Sequence, residues 1–574
     1  MRHQRPVNRN VHTEEIGSQK KKWRDLLPIG LLFPSPYRVG MSNLGFQLIY
    51  ELVNRHPDIV CERIFSPEDG EPPRSIESSR PLSDFPVLFC SIGFEQDLPG
   101  FLKMLLQGGV APLASSRHPE VSAGNPLIIA GGVVCFMNPE PLAPFVDAMV
   151  VGEAEPVLGG LLDFLLASWP IIERRELLAR MVRIIPALYV PWAYHFDFDG
   201  EGRLLDIQVE SGWPTRIKRI CAEAPQVASH SQLLSPAAEF ANLFLVELGR
   251  GCSRGCRFCA AGFIYRPPRL WSAESILAAF DRKPAGIDRV GLLGMEMARK
   301  DDLARVAGFL RGEGCLLSFS SLRADAVTPE LLELLAASDL KTAAIAPDGP
   351  SERLRRVINK GITEDDILQS AEHLVAAGVT NLKLYFMIGL PSETEEDLVE
   401  MVALVRKVAQ RVAVPGRARG RLSTLTLSIN PFVPKPWTPF QFHPFAGLAE
   451  LKGAQDFLRR NLSGEPNLKM MGEKPERAYL QAVLSRGDRR LAGVLMTLAE
   501  RGGNWRQIFK RVALDPDSFC RRRGEKELLP WEIIDHGVKR EYLIAEYHRS
   551  LKGLATPPCQ TETCRRCGVC HDPS

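Results

Sequence analysis

The chain has 574 residues, 45% of them hydrophobic and 24% charged, and its 71 basic and 68 acidic side chains leave a formal charge of +3. That balance excludes a disordered or fibrous chain, and at this length one core gives way to roughly two to four domains. The small net charge offers no argument for a polyanion partner, so nucleic acid is neither implied nor excluded.

Met1 to Trp23 is polar, with Lys20, Lys21 and Lys22 but no apolar stretch of the secretory kind, and no later run is long enough to cross a bilayer. The expectation is a cytoplasmic protein with no membrane partner. Residues 1–24 read as a polar tail. From 25 to 168, short apolar runs (Ile29 to Phe33, Val87 to Ile92, Leu127 to Ala130, Ala148 to Val151) alternate with helically spaced ones (Asn43 to Val53, Leu98 to Leu106). This predicts a doubly wound parallel sheet of the flavodoxin-like kind, which binds ligands at the C-terminal ends of its strands.

Residues 169–240 read as a connector, with a hairpin over Tyr189 to Gln208 turning at Asp199, Gly200 and Glu201. Between 241 and 440 the alternation resumes in six candidate strands: Leu243 to Leu248, Val290 to Leu293, Leu316 to Ser320, Thr342 to Ile345, Asn381 to Ile388 and Leu422 to Ile429. Thr328 before Pro329, Thr363 with Asp366 three positions on, and Gly378 mark helix starts and an end. Repeated strand, helix, parallel strand predicts a partial (β/α)6 barrel of TIM type, with its working loops after the strands. Residues 441–574 read as an α-helical module, with helices over Glu450 to Arg460, Tyr479 to Glu500 and Arg540 to Ser550, ending in a Cys-rich tail. The class is therefore α/β throughout.

Thirteen cysteines in a large chain, odd in number and with seven in two tight groups, point to metal ligation rather than a disulfide framework. The other six (Cys61, Cys90, Cys135, Cys221, Cys315 and Cys520) read as small buried thiols. The first group, Cys252-x3-Cys256-x2-Cys259, follows the first barrel strand. Three thiolates hold three irons of a cubane cluster and leave the fourth iron open to a substrate or cofactor, whereas a structural zinc wants four closed ligands. Gly251, Gly255 and Gly262 let the loop wrap closely.

This motif, with Phe258 before the last cysteine, resembles the signature of the radical S-adenosylmethionine (SAM) superfamily. The resemblance implies a 4Fe-4S cluster on Cys252, Cys256 and Cys259. It also implies SAM bound through its amino and carboxylate groups at the open iron, and reductive cleavage to a 5′-deoxyadenosyl radical that abstracts hydrogen from a substrate. A flavodoxin- or ferredoxin-type electron donor is the implied partner. Gly294 and Glu296 stand where the family has a Gly-Gly-Glu-like segment at the SAM amino group; Ser318, Ser320 and Arg323 end the third strand, and Asp348 stands where relatives commonly have Glu. Helix capping explains the serines equally well.

The segments Ala344 to Lys360, Lys383 to Thr394 and Pro431 to Phe440 resemble blocks of the methylthiotransferase-like and cobalamin-binding branches. Ala130-Gly131-Gly132 and Val151-Gly152-Glu153-Ala-Glu155 resemble the cobalamin-binding-like domain that precedes many such barrels, but the Asp-x-His-x-x-Gly motif of a cobalt ligand is missing. Two alternatives stand: cobalamin bound without a protein imidazole, or a scaffold that has lost the cofactor, the latter slightly favoured. In the tail, Cys559, Cys564, Cys567 and Cys570 lie within twelve residues and read as a second iron-sulfur cluster or a zinc site. The net reaction stays open among hydrogen abstraction, methyl transfer and sulfur insertion, on RNA, protein or a small molecule. The rival class is a non-catalytic metal-binding or RNA-associated assembly factor.

Overall fold

The computed structural model describes residues 14–68, 70–170, 173–296, 300–319 and 322–570. Six strands form the first sheet: β1 (Leu27–Phe33), β2 (Ile59–Phe65), β3 (Val87–Ser91), β4 (Leu127–Gly131), β5 (Ala148–Val150) and β6 (Leu188–Tyr189), in the order β2-β1-β3-β4-β5-β6. All neighbours run parallel except β5 and β6. Strands β1 and β3 are buried on both faces, as continuous runs such as Leu-Pro-Ile-Gly-Leu-Leu-Phe require. Helices Leu44–Asn54, Asp97–Gln107 and Glu155–Ser168 accompany the sheet, the first capped by Asn43 on the Phe46 amide at 2.9 Å.

Strand β2 escapes the hydrophobic pattern because Glu62 and Arg63 interrupt it. Both are buried all the same. Arg63 is neutralised by Glu15 at 2.7 Å and Glu77 at 2.6 Å, and Glu62 accepts from the Trp23 indole at 2.6 Å and the Ser78 hydroxyl at 2.6 Å.

The expected hairpin forms from β7 (Tyr194–Phe198) and β8 (Leu204–Val209), and a short β9 (Ile217–Lys218) follows. The barrel begins with β10 (Phe244–Glu247), a loop clasped by β11 (Gly249–Arg250) and β12 (Arg269–Leu270), then β13 (Arg289–Leu293) and β14 (Leu316–Phe319). It continues through β15 (Thr342–Asp348), β16 (Asn381–Ile388), β17 (Thr424–Pro431) and β18 (Leu468–Gly472). Within the two groups β10-β13-β14 and β15-β16-β17-β18 every pairing is parallel, and a parallel bridge from Leu322 to Ile345 joins the groups. The chain is thus α/β, with a flavodoxin-like sheet, a partial TIM-type barrel and a largely helical C-terminal part. Helix starts follow the expected chemistry: Thr328 accepts from the Leu331 amide at 3.3 Å, and Thr363 and Asp366 form a reciprocal capping box.

Two elements differ from the pattern past residue 440. Strand β18 adds a parallel neighbour to β17, its Leu-Lys-Met-Met-Gly run having been too short and mixed to separate from the flanking helices. The expected single helix over Tyr479 to Glu500 is two, Pro475–Arg486 and Ala492–Arg501. Gly487 ends the first, and Asp488 accepts from the Arg490 amide at 3.0 Å to open a new turn. Finally, β19 (Ile534–Asp535) returns to pair with β9. Among the described residues, no helix is long and apolar enough to cross a membrane.

Candidate functional site

The β11–β12 pairing closes the base of a loop running from Gly251 to Pro268 at the C-terminal end of β10. Gly251 has φ +84°, and a Cβ there would stand 2.7 Å from the Tyr265 carbonyl, so this position requires glycine. Inside the loop the Cys259 amide donates to the Cys256 carbonyl at 3.1 Å, the Gly262 amide to the Cys259 carbonyl at 3.1 Å, and the Arg257 amide to Ile358 at 2.9 Å. The first of these bonds draws Cys256 and Cys259 together in one turn. Their thiols lie within electrostatic reach: burial pushes Cys256 up to about 12, with Lys360 opposing the rise, and burial also raises Cys252 and Cys259. Phe258 packs against the core beside them.

Among the described residues, no three His, Cys, Asp or Glu side chains already converge at metal-ligand spacing. The donor set nevertheless fits an iron-sulfur cluster. Three mutually interacting thiols in a half-buried loop are costly as bare thiolates, and the cationic Arg323 and Lys360 lie within electrostatic reach of them. Ligation to iron removes that cost.

Several of the expected SAM contacts gather at this loop. Glu296 holds the loop directly: it accepts from the Ser253 amide at 2.7 Å and the Ser253 hydroxyl at 2.6 Å, and Arg254 stands 3.8 Å away. Arg323 forks onto Asp325 at 2.8 and 3.1 Å and donates to the Lys360 carbonyl at 2.8 Å. Asp348, at φ +61°, accepts from the Lys360 ammonium at 2.5 Å; burial raises its carboxyl above the usual range, against the pull of Lys360. Ser318 is half-buried in β14 opposite Gly291, Gly294 ends the barrel strand beside it, and Ser320 lies outside the described residues.

The residues that sequence reasoning missed are those joining the loop to the rest of the chain. Arg257 is wholly buried and donates to the Val357 carbonyl at 2.9 Å, the Leu554 carbonyl at 2.6 Å and Glu546 at 3.1 Å. Asn359 and Lys360 close the conspicuous segment that begins at Ala344. An Asn at φ +55° before Lys-Gly is a helix-end signal, but nothing in it says that the amide reaches the cysteine loop.

Beside the loop lies a cavity of about 440 Å³, between the C-terminal edges of the first sheet and the barrel. Ser91, Gly131 and Gly152 line it from one side, Glu247, Gly249 and Gly294 from the other. It sits at the point where the order of the first sheet reverses, where open α/β sheets bind ligands. Its floor is a charge cluster: buried Glu153 accepts from Arg250 at 2.9 Å, from Arg269 at 3.0 and 2.5 Å, and from the Ala222 amide at 2.9 Å. Arg250 also pairs with Glu155 at 2.6 Å and Glu247 at 3.0 Å. The Val151 to Glu155 segment therefore joins the sheet to the barrel. At Gly152, φ +119°, a Cβ would meet the Ile220 carbonyl at 2.1 Å.

The tail thiols form a second group. Cys559, Cys564 and Cys570 lie within electrostatic reach of one another, Cys567 lies within reach of Arg266, and the Arg566 Nε donates to the Cys564 sulfur at 3.4 Å. The Cys559 amide donates to the Ser253 carbonyl at 2.7 Å, which brings the two cysteine groups together.

The loop carrying Cys252, Cys256 and Cys259 thus lies at the C-terminal end of a strand of a partial parallel barrel, beside a flavodoxin-like sheet. Residues 246–405 match the radical SAM superfamily, and residues 45–191 match the N-terminal domain of radical SAM proteins. The chain belongs to the radical SAM superfamily and is a radical SAM enzyme. An uncharacterized protein of Methanocaldococcus jannaschii is 27% identical over 471 residues, covering 81% of this chain and 90% of its own. The mitochondrial lipoyl synthase of Ostreococcus lucimarinus is 28% identical over 217 residues, 36% of this chain and 52% of its own. Among solved structures, the radical SAM methyltransferase TsrM of Kitasatospora setae, with cobalamin and a [4Fe-4S] cluster bound, covers 85% of this chain and 99% of its own at 12% identity and a TM-score of 0.47. That last likeness is too loose to argue from.

Proposed function

We propose that Cys252, Cys256 and Cys259 hold a 4Fe-4S cluster whose open iron takes SAM, and that the neighbouring cavity takes a corrinoid, making the enzyme a methyl transferase. When reduced, such a cluster supplies the electron that splits the SAM sulfonium. The residues of this chain do the rest. Glu296 and Arg254 fix the loop through Ser253, Arg323 and Lys360 set the positive charge that favours thiolates, and the barrel wall keeps water from the reacting atoms.

The cavity carries the reading: Gly249, Arg250 and Tyr265 line it at the base of the cysteine loop, and it lies at the switch point of a flavodoxin-like sheet, where such sheets bind their ligands. No histidine is among its described lining residues, so a corrinoid would sit there without a protein imidazole on cobalt. The tail thiols we read as a second metal centre, iron-sulfur or zinc. The chemistry asks for a reducing compartment, the cytoplasm, and a flavodoxin- or ferredoxin-type donor.

The test is anaerobic incubation of the full chain with hydroxocobalamin, gel filtration, and visible absorbance of the protein peak. The reading expects about one corrinoid per chain and methyl transfer to the substrate once that is found in extracts. A protein peak free of corrinoid, with SAM cleavage intact, would remove the methyl-transfer reading and restore the scaffold.

A further inference from the structure

The segment from Leu554 to Cys559 lies across the catalytic loop like a strap. Its bonds are specific. The Asn359 amide donates to the Gly255 carbonyl at 3.2 Å and to the Thr556 carbonyl at 3.1 Å, and its oxygen accepts from the Thr556 amide at 2.8 Å. Arg257, the residue after Cys256, holds the Leu554 carbonyl at 2.6 Å and the Thr556 hydroxyl at 3.2 Å. Thr556 in turn donates to Glu546, the carboxylate that neutralises Arg257 at 3.0 Å. At the far end the Cys559 amide reaches Ser253, next to Cys252.

Beyond the strap the chain doubles back on itself through its thiols. Cys559 lies within electrostatic reach of Cys564 and Cys570, and Arg566 bridges from the Cys564 sulfur, 3.4 Å away, to the Pro557 and Pro558 carbonyls of the strap at 2.8 and 3.0 Å. Cys567, 1% exposed, is gripped by Arg266 and anchored through its carbonyl, which accepts from the Lys539 amide at 2.9 Å. Arg266 also donates to the Gly262 carbonyl of the catalytic loop at 2.8 Å and stacks between Phe263 and Tyr542, 4.7 and 5.2 Å from their centroids. One guanidinium therefore touches both cysteine groups.

We propose that the tail thiols are the metal-dependent buckle of this strap: with metal bound they hold residues 554–559 on the catalytic loop, and so control how firmly the catalytic cluster is kept. The proposal rests on the ligand assignments above and adds a role to the second centre. An exposed terminal segment of about fifteen residues, without a regular element of its own, pays its ordering entropy only if something closes it. A metal that ties Cys559 to Cys570 supplies that closure, as in small thiolate modules that fold on binding.

The test uses the full chain, reconstituted anaerobically, in four forms: wild type, Asn359→Ala, Cys564→Ala/Cys567→Ala, and Cys252→Ala/Cys256→Ala/Cys259→Ala. Iron and zinc per chain are counted by emission spectrometry. Loss of the catalytic iron to bathophenanthroline is timed, with the triple variant as the tail-only reference. Hydrogen exchange of residues 252–259 reports the loop, and that of residues 87–91 controls for the fold. Asn359→Ala cuts the strap without touching a thiol, and is expected to keep its tail metal while losing catalytic iron about tenfold faster, the worth of one buried amide's bonds. The double variant is expected to lose the tail metal and to match that acceleration, with faster exchange at 252–259 and none at 87–91. Catalytic iron lost at the wild-type rate in the double variant overturns the proposal, and so does a triple variant that holds no metal. A wild type lacking a SAM-responsive cluster would instead overturn the underlying ligand assignment.

Discussion

Glu153→Gln strikes the joint between the first sheet and the barrel. Glu153 is 6% exposed and its two oxygens take four hydrogen bonds, three from guanidinium groups. A glutamine can keep the oxygen that serves Arg250 and Ala222, but it turns an NH2 towards the second Arg269 nitrogen. Arg269 then loses its carboxylate partner at 2.5 Å, and its Nε already has no acceptor. One charge-assisted bond lost, with a largely enclosed guanidinium left on neutral acceptors (the glutamine oxygen and the Ala222 carbonyl), costs about 3 kcal/mol. Native-state hydrogen exchange reads this cost locally: the amides of Ile220 and Ala222, which bond to Val151 and Glu153 across the joint, should exchange roughly a hundredfold faster. Amides of β3 in the sheet centre should not change. Exchange within about threefold of wild type at Ile220 and Ala222 would refute the assignment of this cluster as the joint.

Three further outcomes follow from named groups. Glu393 accepts from the Gly389 and Leu390 amides at 3.0 and 3.3 Å, and burial pushes its carboxyl up to about 7 from 4.5. A raised carboxyl is stabilising below its unfolded value and loses that contribution as pH climbs through about 7. Glu393→Gln should therefore flatten the fall in urea midpoint between pH 5 and 7, and parallel pH profiles would contradict this. Gly131 lines the cavity, and an added Cβ there meets nothing within 4 Å. Gly131→Phe should leave the thermal midpoint within a few degrees yet weaken hydroxocobalamin binding by about tenfold or more, read by absorbance titration. Arg257→Met removes the nearer cation from buried Glu546, which keeps Arg549 at 3.6 Å, and strands the Val357 carbonyl, at about 1–3 kcal/mol. Expression and proteolysis should show a destabilised chain, and Arg257→Lys should rescue little because one ammonium cannot match a fork of five donors.

Much of the architecture was legible because its signals are local. The apolar runs that became β1, β3 and β4, the Thr363–Asp366 capping box and the Cys252-x3-Cys256-x2-Cys259 loop depend on residues near each other in the chain, and strand β16 runs from Asn381 to Ile388 as its alternation indicates. What escaped depends on distant partners. Strand β2 looked polar because Glu62 and Arg63 find their counter-charges and donors on other segments. The site residues Arg257, Asn359 and Glu546 act across separations of about a hundred residues or more, which no spacing rule reports. Glu296 was singled out from its motif as an acid for the SAM amino group, and its place on Ser253 follows from the loop's path rather than from that motif.

The central claim is that the Cys252 loop holds a cluster with a free iron for SAM. Electron paramagnetic resonance of the dithionite-reduced full chain, with and without SAM, measures this most directly when paired with chromatography for 5′-deoxyadenosine. The account predicts a cluster signal that shifts on adding SAM, release of 5′-deoxyadenosine, and loss of both in Cys256→Ala. A spectrum indifferent to SAM, or product release that survives Cys256→Ala, would contradict it.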